Sequence, residues 1–86
     1  MKKIYYSKYL IDSDYLIEWL IENNISQKEM SVKYGNSIQR FHYLIHKKRY
    51  PLTVKAYNRV CETLFSFGIK NVKPFFSEYK KPERKL

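Results

Sequence analysis

Between Ser26 and Pro51 the chain reads SQKEMSVKYGNSIQRFHYLIHKKRYP, and the spacing inside this stretch constrains the fold more than anything else in the sequence. Ser26-Gln27-Lys28-Glu29 has the form of a capping box, in which the Ser26 hydroxyl accepts from the Glu29 amide and Glu29 reaches back to the Ser26 amide. Ile25 and Met30 flank it as a hydrophobic staple. Met30 and Tyr34 face inward on the helix so begun, with Ser31 small between them. Gly35 falls where a left-handed residue stops that helix, and Asn36 or Ser37 can cap the next. The following helix is expected from about Ile38 to Ile45, burying Phe41, Leu44 and Ile45. Ile38, Gln39, His42, Tyr43 and His46 are left outward, ahead of a basic connection closed by Pro51.

The flanking segments supply partners for these two short helices. Asp12, Ser13 and Asp14 each offer an N-cap to a helix in which Leu16, Ile17, Leu20 and Ile21 form one buried stripe. Asn23-Asn24 ends it, because asparagine tolerates the left-handed conformation. Thr53 caps a fourth helix, with Ala56, Tyr57, Val60, Cys61 and Leu64 at core spacing and Gly68 as terminator. Residues 1–11 are tyrosine-rich and loosely alternating, which suits a strand or an irregular lead-in. Residues 69–79 suit either a short helix with Pro74 in its first turn or an extended edge segment. The expected organisation is one domain over residues 1–79 and a basic flexible tail over 80–86, with no internal repeat.

Charge is distributed unevenly. The formal net charge is +9, and from Met30 to Cys61 there is no acid, while Lys33, Arg40, Lys47, Lys48, Arg49, Lys55 and Arg59 are basic. A basic block confined to one motif, preceded by a slightly acidic segment, is a directed field that favours a polyanion. The single cysteine permits no internal disulfide, which points to a reducing, cytoplasmic compartment. No apolar run approaches the roughly 20 residues that span a bilayer, and the N-terminus lacks the apolar run of a signal peptide.

With four helices in place, residues 26–46 form a helix-turn-helix pattern, and the stretch to Pro51 resembles the Cro/repressor (XRE-like) family of phage and bacterial regulators. Ser26-Gln27 matches the opening of the family pattern, Met30 and Tyr34 stand at apolar positions, and Ser31 at the small one. Gly35 and Ser37 hold their places, Phe41 and Leu44 stand for the apolar pair of the recognition helix, and Lys48-Arg49 with Pro51 closes the register without a gap. Asn36, Ile45 and Lys47 depart from the pattern without shifting it. The resemblance covers about residues 14–67. It implies a mainly α, compact four- to five-helix domain of the lambda-repressor type, with short extended or strand segments at the termini. It also implies a DNA-binding transcriptional regulator, a repressor acting as a homodimer on double-stranded operator DNA and associated with the nucleoid.

On that reading the recognition helix, about residues 37–46, enters the major groove. Gln39 is the leading base reader, since its amide can pair bidentately with adenine. Ser37, Ile38, His42 and Tyr43 add hydrogen bonds or thymine-methyl contacts, and Arg40 reaches guanine or phosphate. The resemblance gives Gln27 a phosphate contact; Lys47, Lys48 and Arg49 neutralise phosphates, joined by His46. The bland alternative is that the capping box is ordinary packing and that Gln39 and Arg40 are solvated surface residues.

Other chemistries find less support. His42 and His46 have the i,i+4 spacing of a two-imidazole metal site, but no acid from Met30 to Cys61 supplies a third ligand and the local charge repels a cation, so no metal is expected. Cys61 reads as a small buried hydrophobe. No nucleophile–base set, carboxylate pair or glycine-rich phosphate loop stands out, so neither catalysis nor a cofactor is expected. The main competing function is a protein-interaction module on the same scaffold, an antitoxin or inhibitor, using the aromatic ends Tyr5, Tyr6, Tyr9, Phe75, Phe76 and Tyr79. These same residues are the expected support for dimerisation. An RNA binder is a third reading, through the aromatic and basic mixture around Tyr43 and Tyr50.

Overall fold

The computed structural model describes residues 4–80; most of the expected basic tail, residues 81–86, lies outside them. The chain is mainly helical. Strand β1 (Tyr9–Ile11) leads into α1 (Ser13–Glu22), α2 (Gln27–Tyr34), α3 (Ile38–His46) and α4 (Val54–Ser66), then a 3-10 turn (Lys73–Phe75) and strand β2 (Phe76–Glu78). Pro74 sits at the start of that turn, where its missing amide costs nothing. The two alternatives for residues 69–79 are therefore both realised, one after the other.

Each helix begins on the cap its sequence offers. Asp12 accepts from the Tyr15 amide, Ser26 from Glu29, Ser37 from Arg40 and Thr53 from Ala56. The capping box is half made, because among the described residues only the bond from the Glu29 amide to Ser26 is present and the return bond to the Ser26 amide is not. Asn24 at φ 55° follows α1, Gly35 at φ 96° ends α2, and Gly68 at φ 90° follows α4. All three lie in the left-handed region that asparagine and glycine adopt most readily.

Strands β1 and β2 pair antiparallel, with Tyr9 opposite Glu78, Leu10 opposite Ser77 and Ile11 opposite Phe76. The ladder is extended by the Asp12 amide donating to the Phe75 carbonyl and the Tyr79 amide donating to the Lys8 carbonyl, both 2.8 Å. Upstream, residues 5–9 lie against the loop before α4, through bonds from the Ser7 amide to Leu52 and from the Val54 and Leu52 amides to Tyr5 and Tyr9. The N-terminal segment thereby ties the C-terminal strand to the α3–α4 connection.

The core joins all four helices to these terminal segments. Ile11, Leu16, Leu20, Met30, Tyr34, Phe41, Ile45, Leu52, Val60, Leu64 and Phe75 form one buried cluster. Three expectations are corrected. Ile21, expected in the buried stripe of α1, is 69% exposed, because Leu16 and Leu20 occupy the inward face and Ile17 and Trp19 pack beside them. Leu44 is half-buried rather than buried, since only Phe41 and Ile45 of α3 point directly into the core. Finally, the C-terminal aromatics Phe75, Phe76 and Tyr79 are taken up in the fold rather than left over. Phe75 is buried, with Tyr15 and Trp19 edge-on at centroid distances of 4.9 Å and 5.6 Å. Phe76 packs on Tyr57 and Tyr9, and Tyr9 stacks on Tyr57 at 5.3 Å. The Tyr79 hydroxyl donates to the Arg49 carbonyl. These rings close the small sheet over α1 and α4 and take Phe75, Phe76 and Tyr79 into the fold, while Tyr5, Tyr6 and Tyr9 stay exposed.

Candidate nucleic-acid interface

Helices α2 and α3 are joined by Gly35, Asn36 and Ser37, and the turn is held from both sides. The Gly35 amide donates to the Ser31 and Val32 carbonyls and the Asn36 amide donates to Ser31, which ends α2 in the left-handed cap pattern. Ser37 starts α3 at once, its Oγ accepting from the Arg40 amide at 3.3 Å. The result fixes α3 at its N-terminal end through the turn and along one side through Phe41 and Ile45.

The opposite side of α3 is open. Ile38, Gln39, Arg40, His42, Tyr43 and His46 are all exposed, as is Ser37 at the cap. At about 100° per residue, Gln39, Tyr43 and His46 (i, i+4 and i+7) share the centre of this face. His42 and Ile38 lie toward one flank and Arg40 toward the other. The rings of His42 and His46 sit 4.3 Å apart, and no group of three or more metal-ligating side chains exists among the described residues.

The other sequence-assigned residues fall at the ends of this face. Gln27, half-buried, is the first residue of α2. Lys47, Lys48 and Arg49 follow α3 and are exposed, but they are not equivalent. Lys47 Nζ lies between two tyrosines, 5.9 Å from the Tyr43 centroid and 5.6 Å from that of Tyr50. The Arg49 guanidinium lies 5.5 Å from Tyr50. Lys48 instead turns inward, its Nζ donating to the Ile11 carbonyl at 2.6 Å. That ammonium is committed to the C-terminal end of β1, so of the three cations it is the one engaged in holding the fold.

One residue packed against the turn carries no assignment from the sequence. Arg59 of α4 lays its guanidinium over the Tyr34 ring, 4.8 Å from the centroid, and its terminal nitrogen fills the space that a side chain at Gly35 would need. Burial raises the Tyr34 phenol above its ordinary pKa, and the Arg59 charge partly opposes this. The sequence signal was only that Arg59 belongs to the acid-free block; its partner became visible once α4 was packed against α2.

No helix among the described residues is long and apolar enough to cross a membrane. The chain matches no family model, no curated protein and no solved structure.

Proposed function

We propose that this chain is a sequence-specific reader of double-stranded DNA, a transcriptional regulator of the phage, plasmid or bacterial repressor type. The observation that carries the proposal is the build of α3: one side locked into the core, the other exposing a continuous row of polar and aromatic side chains, within a segment that has no acid from Met30 to Cys61. A rigid helix with an open, cation-flanked face is what the major groove accepts. Gln39, at the centre of the face, reads a base edge, with Ser37, Ile38, Arg40, His42 and Tyr43 around it. Gln27, His46, Lys47 and Arg49 set the register on phosphates, and Lys48 supports them by holding the loop to β1. A homodimer is part of the proposal: β2 pairs only with β1 among the described residues, which leaves its outer edge for a second copy.

The test is a panel of duplexes carrying single base changes in a selected site. Gln39→Ala is expected to flatten preference at one position, and Arg49→Ala to weaken every duplex alike and reduce the salt slope by about 0.9. Equal, uniform losses from both variants would remove α3 from the reading role.

A further inference from the structure

A groove of about 300 Å³ runs beside the C-terminal end of α3, between the N-terminal segment and the start of α4. Its surface is formed by Leu44, Pro51 and Ala56, with Tyr6 and Tyr50 along it and Lys47 as its cation. The size is at the low end of the roughly 300–1,000 Å³ range of small-molecule pockets, so it suits a single flat ring system. We propose that this groove takes one unpaired base of single-stranded DNA, the adjoining phosphate being held by Lys47 and Arg49.

The tyrosines distinguish this place from the rest of the surface. Tyr9, Tyr15, Tyr34 and Tyr57 each spend a ring on another aromatic of the same chain. Among the described residues Tyr5, Tyr6, Tyr43, Tyr50 and Tyr79 have no such ring partner; of these Tyr6 and Tyr50 line the groove, 52% and 47% exposed, and Tyr43, 67% exposed, shares Lys47 with Tyr50. What Tyr43 and Tyr50 face instead is a cation, Lys47 between them and Arg49 beside Tyr50. Exposed rings interleaved with cations beside an apolar slot are the chemistry that binds single strands: bases stack on the rings and the backbone follows the charge. The apolar floor favours thymine, whose 5-methyl group has Leu44, Pro51 and Ala56 to touch, over uracil. The choice of DNA over RNA also rests on the proposal that the adjacent α3 docks on DNA, whereas the groove and its tyrosines stand without it.

The experiment is a titration of the isotope-labelled full chain with a short oligothymidylate, followed by NMR and by anisotropy. The expected result is methyl shifts at Leu44 and Ala56 that saturate with binding. Tyr50→Ala should weaken binding by about 5-fold or more, the loss of one base–aromatic stack, while Tyr50→Phe retains it. Shifts confined to Gln39, Tyr43 and His46, or an unchanged affinity for Tyr50→Ala, would overturn the groove. So would the same groove shifts produced by inorganic polyphosphate, which has charge and no bases. Tighter binding of oligouridylate would overturn the assignment to DNA. Duplex selectivity that fails while the groove shifts persist would refute α3 as a reader and leave the groove supported.

Discussion

Replacing Gly35 by alanine should destabilise the fold by about 2 kcal/mol, and the structure divides that cost into two measurable parts. The first is backbone: at φ 96° an L side chain pays about 1–2 kcal/mol for the left-handed conformation. The second is steric, because a Cβ at Gly35 meets the Arg59 guanidinium. The arginine can swing aside, but only by giving up its position over Tyr34, a cation–π contact of about 0.5–1 kcal/mol at an exposed site. Gly68 provides the control. Its φ is 90° and nothing lies within 4 Å of where its Cβ would be, so Gly68→Ala should carry the backbone cost alone. Urea denaturation followed through Trp19, which packs on Phe67 and Phe75, gives both values. Gly35→Ala should exceed Gly68→Ala by about 0.5–1 kcal/mol, and the excess should vanish in an Arg59→Ala background. At about 4–8 °C per kcal/mol for a domain of this size, the Gly35 variant should melt roughly 8–16 °C lower. A Gly35→Ala cost no larger than that of Gly68→Ala, or one unchanged by removing Arg59, would refute the steric part. A cost below about 0.5 kcal/mol, within the range of ordinary surface changes, would refute both.

Other substitutions test separate links. Phe75→Ala removes a buried ring that Tyr15 and Trp19 meet edge-on, and should cost about 3–5 kcal/mol in denaturant titration; a loss under about 1 kcal/mol would mean the terminal strand is not part of the cooperative unit. Lys48→Met should lower stability by about 0.5–1.5 kcal/mol, the worth of a typical hydrogen bond, through its lost bond to the Ile11 carbonyl. Lys47→Met should not, and equal effects would contradict the assignment. Burial raises the Cys61 thiol above its ordinary pKa, while a bond with Tyr57 partly opposes this and Glu62 adds to it. A raised folded pKa means the unfolded thiol releases its proton first. Its contribution to stability is therefore complete below the unfolded pKa and is lost as pH rises through the folded one. Alkylation of Cys61 at mildly alkaline pH should be slower than that of a free thiol and recover in urea; equal rates would place the thiol in solvent.

The helices and their ends were legible in the sequence because their signals are local. Ser26, Ser37 and Thr53 precede apolar periodicity, and Gly35 and Asn24 stand where a left-handed residue is required. The exposed face of α3 followed from the spacing of Phe41, Leu44 and Ile45. What the sequence could not show depends on residues far apart in the chain. Ile21 has the spacing of a buried residue, yet no element among the described residues covers it. The terminal aromatics look unpartnered until β1 pairs with β2 and brings Tyr9, Tyr57 and Phe76 together. Lys47 and Lys48 are neighbours of the same type, and only the position of the Ile11 carbonyl separates the lysine held to β1 from the one that lies between Tyr43 and Tyr50. The groove beside Tyr50 likewise exists because residues 5–9 lie along the loop before α4.

Selection of bound duplexes from a random pool tests the central claim most directly. The account predicts a defined site of two-fold symmetry with half-sites about one helical turn apart. It also predicts that Gln39→Ala loses the preference at one position in each half. A pool that stays random while binding remains salt-dependent would show a basic surface that α3 does not turn into sequence recognition.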